Sequence, residues 1–164
     1  MMNSRERMLA VINHETPDRV PTDIWATTEV LHKLKEYFGQ DADICGQLHI
    51  DGMASVEPKY KGPPLPAVGR GETVDYWGII RKKVSYGTGA YDEQVYYPLA
   101  DARTIDDLEQ YSWLNGDWFD YSEMRAAAES ACQKQIVMCG YMAVFYLHNQ
   151  LRGLKTSLID PLLR

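Results

Sequence analysis

The sequence predicts an α/β fold, because short extended runs alternate with amphipathic helical stripes and the breaks between them fall at proline and glycine. Two further observations refine this. The first expected strand is followed by a helix, the unit that repeats in an α/β barrel, and a tyrosine-rich double run around Gly87-Thr88-Gly89 reads as a β-hairpin lying outside any parallel sheet.

Taken in order, Asn3 with Glu6 three residues later forms a capping pair, and Met8, Leu9, Val11 and Ile12 then share one helical face. Thr16-Pro17-Asp18-Arg19 ends that helix, since proline disfavours helical backbone in the residue before it. Residues 20–25 follow as the expected first strand. Residues 29–38 carry Val30, Leu31, Leu34, Tyr37 and Phe38 on one stripe and stop at Gly39. Residues 50–56 are the second expected strand, and the loop Glu57-Pro58-Lys59-Tyr60-Lys61-Gly62-Pro63-Pro64 leaves its end. The hairpin is expected over residues 76–86 and 91–97, an insertion of about residues 73–98. Thr104 with Asp107 opens another capped helix, residues 122–134 form a longer one, and residues 136–145 read as a buried strand. Leu147, Leu151, Leu154 and Leu158 then recur at helical spacing. Three or so strand-and-helix units fill the 164 residues, whereas a closed barrel takes about 250. The chain is therefore expected to be one partial domain, residues 1–164.

Composition narrows the function classes. Seventeen lysines and arginines stand against 23 aspartates and glutamates, with no basic stripe, so neither nucleic acid nor a membrane is an expected partner. Three cysteines at irregular spacing give no disulfide framework, and the first residues lack the basic-then-apolar order of a secretory signal. A cytoplasmic setting is expected. No phosphate-cradling glycine loop, nucleophile elbow or nucleotide fingerprint is present.

Several pieces, in order, resemble the uroporphyrinogen decarboxylase family. These are Asn3-Ser4-Arg5-Glu6-Arg7, Asn13-His14-Glu15-Thr16-Pro17-Asp18-Arg19-Val20-Pro21, Asp75-Tyr76-Trp77-Gly78, Tyr96-Tyr97-Pro98-Leu99, and Leu151-Arg152-Gly153 followed by Leu158-Ile159-Asp160. The resemblance runs over essentially the whole chain. It implies the N-terminal half of a (β/α)8 barrel with the hairpin as an insertion, in a family that also holds corrinoid-dependent methyltransferases. True decarboxylases of porphyrin biosynthesis follow the first strand with an arginine-rich motif that holds the carboxylates of the porphyrinogen. The matching stretch here, Ala26-Thr27-Thr28-Glu29-Val30-Leu31, has no arginine, and bidentate arginine is the usual means of positioning carboxylates. The family's decarboxylating aspartate belongs just after the second strand, where this chain has Glu57 and Pro58, with Asp51 nearby but displaced.

The resemblance thus implies a fragment of a decarboxylase-like protein whose parent, as methyltransferase or carboxy-lyase, acts in corrinoid-linked methyl transfer. The alternatives are a true uroporphyrinogen decarboxylase and a noncatalytic binding or assembly module. The methyltransferase branch uses zinc to hold a thiolate, with ligands in the C-terminal half; a zinc ion and a corrinoid are expectations for the parent, and no cofactor or metal is expected in this chain. A small-molecule substrate or a corrinoid protein is the expected partner of the parent, and homo-oligomerisation is compatible with the sequence. The 164-residue chain alone is expected to be inactive.

Individual residues carry two readings each. Asp23 and Trp25 end the first strand; Asp23 suits a proton or hydrogen-bond acceptor at a barrel mouth, and equally a structural ion pair. Glu57 and Tyr60 follow the second strand, and His148 lies just past residues 136–145; these suit catalysis or binding, against a bland reading as loop charge, loop packing and a helix-start histidine. Tyr141 suits a pocket wall or core packing. Cys45 and His49 share a helical face but make too few ligands for zinc, and Cys132 and Cys139 read as core thiols.

Overall fold

The computed structural model describes residues 1–87 and 89–162 as a mixed α/β chain. The elements run α1 (Ser4–Ile12), α2 (Thr28–Phe38), α3 (Ile44–Gln47), β1 (Met53–Ser55), β2 (Lys59–Tyr60), β3 (Glu72–Val74), β4 (Ile80–Ser85) and β5 (Ala90–Tyr96). Then come α4 (Ile105–Glu109), β6 (Phe119–Asp120), α5 (Met124–Ala131), β7 (Ile136–Met138), α6 (Val144–Arg152) and α7 (Leu154–Ile159). Among the described residues the strands make two sheets of two strands and one of three, with no closed barrel.

The chain divides into two compact units, each discontinuous in sequence. The first comprises Met1–Lys59 and Tyr121–Tyr141. Its helix α1 begins as the capping pair predicts: the Asn3 side chain accepts from the Glu6 backbone N–H, and the Glu6 carboxylate accepts from the Asn3 N–H. Helix α2 is capped by Thr27 and ends at Gly39, whose φ of 109° is a backbone geometry that side-chain-bearing residues avoid. The central sheet is β1 paired with β7 in parallel, Met53 opposite Ile136 and Ser55 opposite Met138, extended by Val56 N–H donating to Met138 O at 2.9 Å.

Three strand expectations change here: residues 20–25 carry no strand, and those over 50–56 and 136–145 shorten to Met53–Ser55 and Ile136–Met138. Residues 20–25 form no ladder of their own, since Pro21 has no N–H to give, and the segment touches the next one through Thr22 O, which accepts from the Asp51 and Gly52 N–H groups. The strand expected over 136–145 stops at Met138, because Gly140 turns the backbone to φ 67° and α6 starts at Val144.

The second unit comprises Tyr60–Asp120 and Met142–Arg164, and the part of it that is described ends at Leu162. The expected hairpin is present as β4 and β5, antiparallel with Ser85 opposite Ala90, and separate from the β1–β7 sheet. Tyr86 N–H donates to Gly89 O across the turn; Thr88, its central residue, lies outside the described residues. A third strand, β3, pairs antiparallel with β4 and was not read from the sequence. The turn before β4 is made by Asp75, whose Oδ1 accepts from the Trp77 and Ile79 N–H groups at 2.9 and 3.1 Å. Helix α4 opens with the Thr104–Asp107 capping box. The leucine stripe from 147 to 158 breaks at Gly153, φ 79°, which separates α6 from α7. Ile79, Leu99 and Leu151 form the buried core of this unit, packed by Trp77, Ala102, Tyr111 and Leu147.

Candidate functional site

The interior of the first unit is organised around a carboxylate rather than a large apolar cluster. Asp51 is 1% exposed and Arg7, on α1, 4% exposed. Arg7 donates through Nη1 to Asp51 Oδ1, and through Nε to Asp18 Oδ1 at 2.6 Å. Arg19 places Nη1 2.8 Å from Asp51 Oδ2 and donates through Nη2 to Asp51 Oδ1 at 3.1 Å and His49 O at 2.9 Å. The Thr22 N–H donates to Asp51 Oδ2 at 3.0 Å. Burial alone raises the Asp51 carboxyl, but the Thr22 N–H and the Arg7 guanidinium outweigh it and hold it below the ordinary value. A carboxylate so fully engaged has little capacity left to accept a substrate proton. Asp51 therefore anchors α1, through Arg7, to the segment that carries Arg19 and Thr22.

At the C-terminal end of the β1–β7 pair the arrangement is different. Because the strands are parallel, the segments after Ser55 and Met138 leave from the same end, carrying Glu57 and Tyr141. Tyr141 meets Trp25 edge to face, ring centroids 6.2 Å apart at 88°, and the two side chains remain 68% and 84% exposed. Glu57 is exposed and its Oε1 accepts from Ser55 Oγ at 3.3 Å. Asp23 is exposed as well. Cys45 has its thiol pushed up by burial first, then by the charges of Asp43 and Asp23. His49 sits at φ 53° beyond α3, off any helical face shared with Cys45. Among the described residues no three of histidine, cysteine, aspartate and glutamate are grouped as metal ligands. All three cysteines are free thiols; Cys132 is half-buried and Cys139 exposed.

Tyr60 and His148 belong to the second unit. Tyr60 stacks on Tyr76 with centroids 5.7 Å apart, meets Phe119 edge-on at 5.6 Å, and donates its hydroxyl to Pro63 O at 2.9 Å. This is aromatic packing that fixes the proline loop. His148, on α6, holds Nε2 3.3 Å from Asp160 Oδ2. Arg152 donates to the same carboxylate, Nε to Oδ2 at 2.9 Å and Nη2 to Oδ1 at 3.0 Å, and its Nη1 donates to Leu99 O and Ala102 O at 2.6 and 2.8 Å. The Arg152 hydrogen bond chiefly holds the Asp160 carboxyl below its ordinary value, with His148 adding to it.

Of the six sequence candidates, then, Trp25 and Tyr141 touch, Glu57 leaves the same strand end as Tyr141, and His148 joins an ion-pair cluster that sequence reasoning left unassembled. The sequence signal for that cluster is an arginine and an aspartate, Arg152 and Asp160, eight residues apart across Gly153. No helix among the described residues is long and apolar enough to cross a membrane. Comparisons with protein-family models, with curated proteins and with solved structures find no match.

Proposed function

We propose that this chain builds the early strand ends of a uroporphyrinogen decarboxylase-like barrel, the N-terminal half of a (β/α)8 fold, which in complete form acts in methyl transfer between a corrinoid and a thiol. The carrying observation is the open end of the parallel β1–β7 pair, where Trp25 and Tyr141 form an exposed aromatic corner beside the segment that bears Glu57. Strand C-terminal ends are where barrels assemble active sites. An aromatic corner suits the broad apolar face of a tetrapyrrole-like ring. The stretch that in decarboxylases would bring arginines instead opens α2, with Thr27 as its cap and Glu29 in its first turn. An eightfold carboxylate substrate finds no fixed cation in that stretch; a corrinoid, whose periphery is largely neutral amide, does not call for one. Trp25 and Tyr141 are the residues that would line its edge. Bound zinc would supply a thiolate nucleophile, but the described residues offer no set of three ligands, so no step is drawn through zinc on this chain.

The test is an anaerobic assay of the full gene product carrying this chain. Loss of methylcobalamin absorbance is followed in the presence of a thiol, and coproporphyrinogen formation from uroporphyrinogen is followed by chromatography after oxidation. The expected result is thiol-dependent demethylation without coproporphyrinogen, a fall of about tenfold or more for Trp25→Ala, and no turnover by the 164-residue chain alone. Coproporphyrinogen at enzymatic rates would overturn the reading in favour of a true decarboxylase. A folded product silent in both assays would overturn it in favour of a noncatalytic assembly module.

A further inference from the structure

The second unit contains a cavity of about 390 Å³, within the range of small-molecule sites. One side is apolar: Ile105, Leu108 and Trp113 line it while remaining 73%, 39% and 47% exposed, in front of the buried Leu99 and Leu151. The Trp113 ring is fixed in place. Its Nε1–H donates to Leu108 O at 2.8 Å, and it packs T-shaped against the Tyr111 ring with centroids 4.8 Å apart.

The polar side carries Arg103, Thr104, His148, Arg152 and Asp160. Here the charges are unevenly engaged. The Asp160 carboxylate is taken up by Arg152 and His148. Asp107, next to Arg103 in charge terms, has its Oδ2 occupied by the Arg103 and Thr104 N–H groups, both at 2.8 Å, and by Thr104 Oγ1 at 2.9 Å. Among the described residues the Arg103 guanidinium hydrogen-bonds to neutral acceptors, its Nη1 donating to Ala100 O and Ala102 O at 3.2 and 3.0 Å, and Asp107 acts on it through charge without an ion-pair contact. The cavity thus has an apolar wall with a flat indole, and a rim on which the Asp160 carboxylate is spent and the Arg103 guanidinium is anchored by carbonyls rather than held in a direct ion pair.

We propose that this cavity binds a small amphipathic acid, with an aromatic or branched aliphatic body against Leu108 and Trp113 and a single carboxylate at Arg103. A planar carboxylate matches the guanidinium fork, and the body gains from leaving water against the apolar wall. The site stands on the second unit alone and is independent of the corrinoid reading, so either fails without the other.

The experiment is a titration of the full ¹⁵N-labelled chain, following the Trp113 indole N–H resonance, with indole-3-acetate and its cationic counterpart tryptamine. Expected is a saturable shift with indole-3-acetate at sub-millimolar affinity, and binding of tryptamine weaker by about tenfold or more. Arg103→Gln, a change at an exposed side chain that leaves the rest of the spectrum in place, is expected to weaken indole-3-acetate by about tenfold and to leave tryptamine no weaker, so that the preference between the two probes disappears. Equal affinity for the two probes, an acid affinity indifferent to Arg103→Gln, or no saturable Trp113 shift by about 1 mM ligand would each overturn the proposal.

Discussion

Arg152 and Asp160 form a two-pronged pair, Nε to Oδ2 at 2.9 Å and Nη2 to Oδ1 at 3.0 Å, that spans the helix break at Gly153. Because the third nitrogen of the same guanidinium donates to Leu99 O and Ala102 O, one side chain ties α6, the segment after Gly153 and the loop before α4 together. Arg152→Ala is expected to destabilise the second unit by about 2 to 3 kcal/mol, the scale of lost charged hydrogen bonds. Arg152→Lys should recover only part of this, since an ammonium cannot reproduce the planar fork. Urea unfolding monitored by tryptophan fluorescence measures both.

Asp51 gives a second expectation. Replacing it with alanine leaves the buried Arg7 guanidinium without its deepest partner, and removing one member of a buried pair costs about 3 to 5 kcal/mol. Asp51→Ala should therefore unfold the first unit at ordinary temperature or lower its melting point sharply. Glu57→Ala, at an exposed position, should leave the melting curve unmoved. Circular dichroism melts of the two variants separate the structural carboxylate from the candidate functional one.

Acid sensitivity follows from Asp18. The hydrogen bond from Arg7 chiefly lowers its carboxyl to about 2, against an unfolded value of about 3.9. A depressed acid contributes stability that is present in full above the unfolded value and is lost as pH falls toward 2. The native chain should lose stability steeply between about pH 4 and pH 2, and Asp18→Asn should flatten that part of the curve. Chemical unfolding repeated across this pH range shows the slope directly; an unchanged slope in the variant would sink the assignment.

The thiols should react in a fixed order. Cys139 is exposed, whereas Cys45 is half-buried with its thiol pushed up by burial and by Asp43 and Asp23. The thiolate is the reactive form, so at neutral pH a disulfide reagent should label Cys139 first and Cys45 last. Peptide mapping after timed labelling reads the order.

What was legible in the sequence is what local chemistry decides. Asn3 with Glu6, Thr104 with Asp107 and the stop at Gly39 each act within one turn, and each appears as read. The hairpin was legible for the same reason, since β-branched and aromatic runs flank a glycine turn. Asp51 was not legible as an anchor, because its partners Arg7 and Arg19 lie 44 and 32 residues away. Residues 20–25 looked like a strand by composition, yet strand status is settled by a neighbour's hydrogen bonds, and Pro21 cannot supply its share. The candidate site was half legible: Trp25 and Tyr141 were named one by one, while their contact is a product of the fold. Strand β3 offered only Glu72, Thr73 and Val74, too short a run for alternation to register.

The parallel pairing of β1 with β7 also fixes an order of events during folding. Everything from Tyr60 to Asp120 intervenes between the two partners, so the sheet of the first unit cannot close until that whole stretch has left the ribosome. The β4–β5 hairpin, whose strands are joined by a few residues, needs only local closure and can form within microseconds to about 10 μs. Loop-closure entropy then favours the local hairpin first and the β1–β7 contact later. Until it forms, β1 waits with an unpaired edge while its future neighbour is still being made.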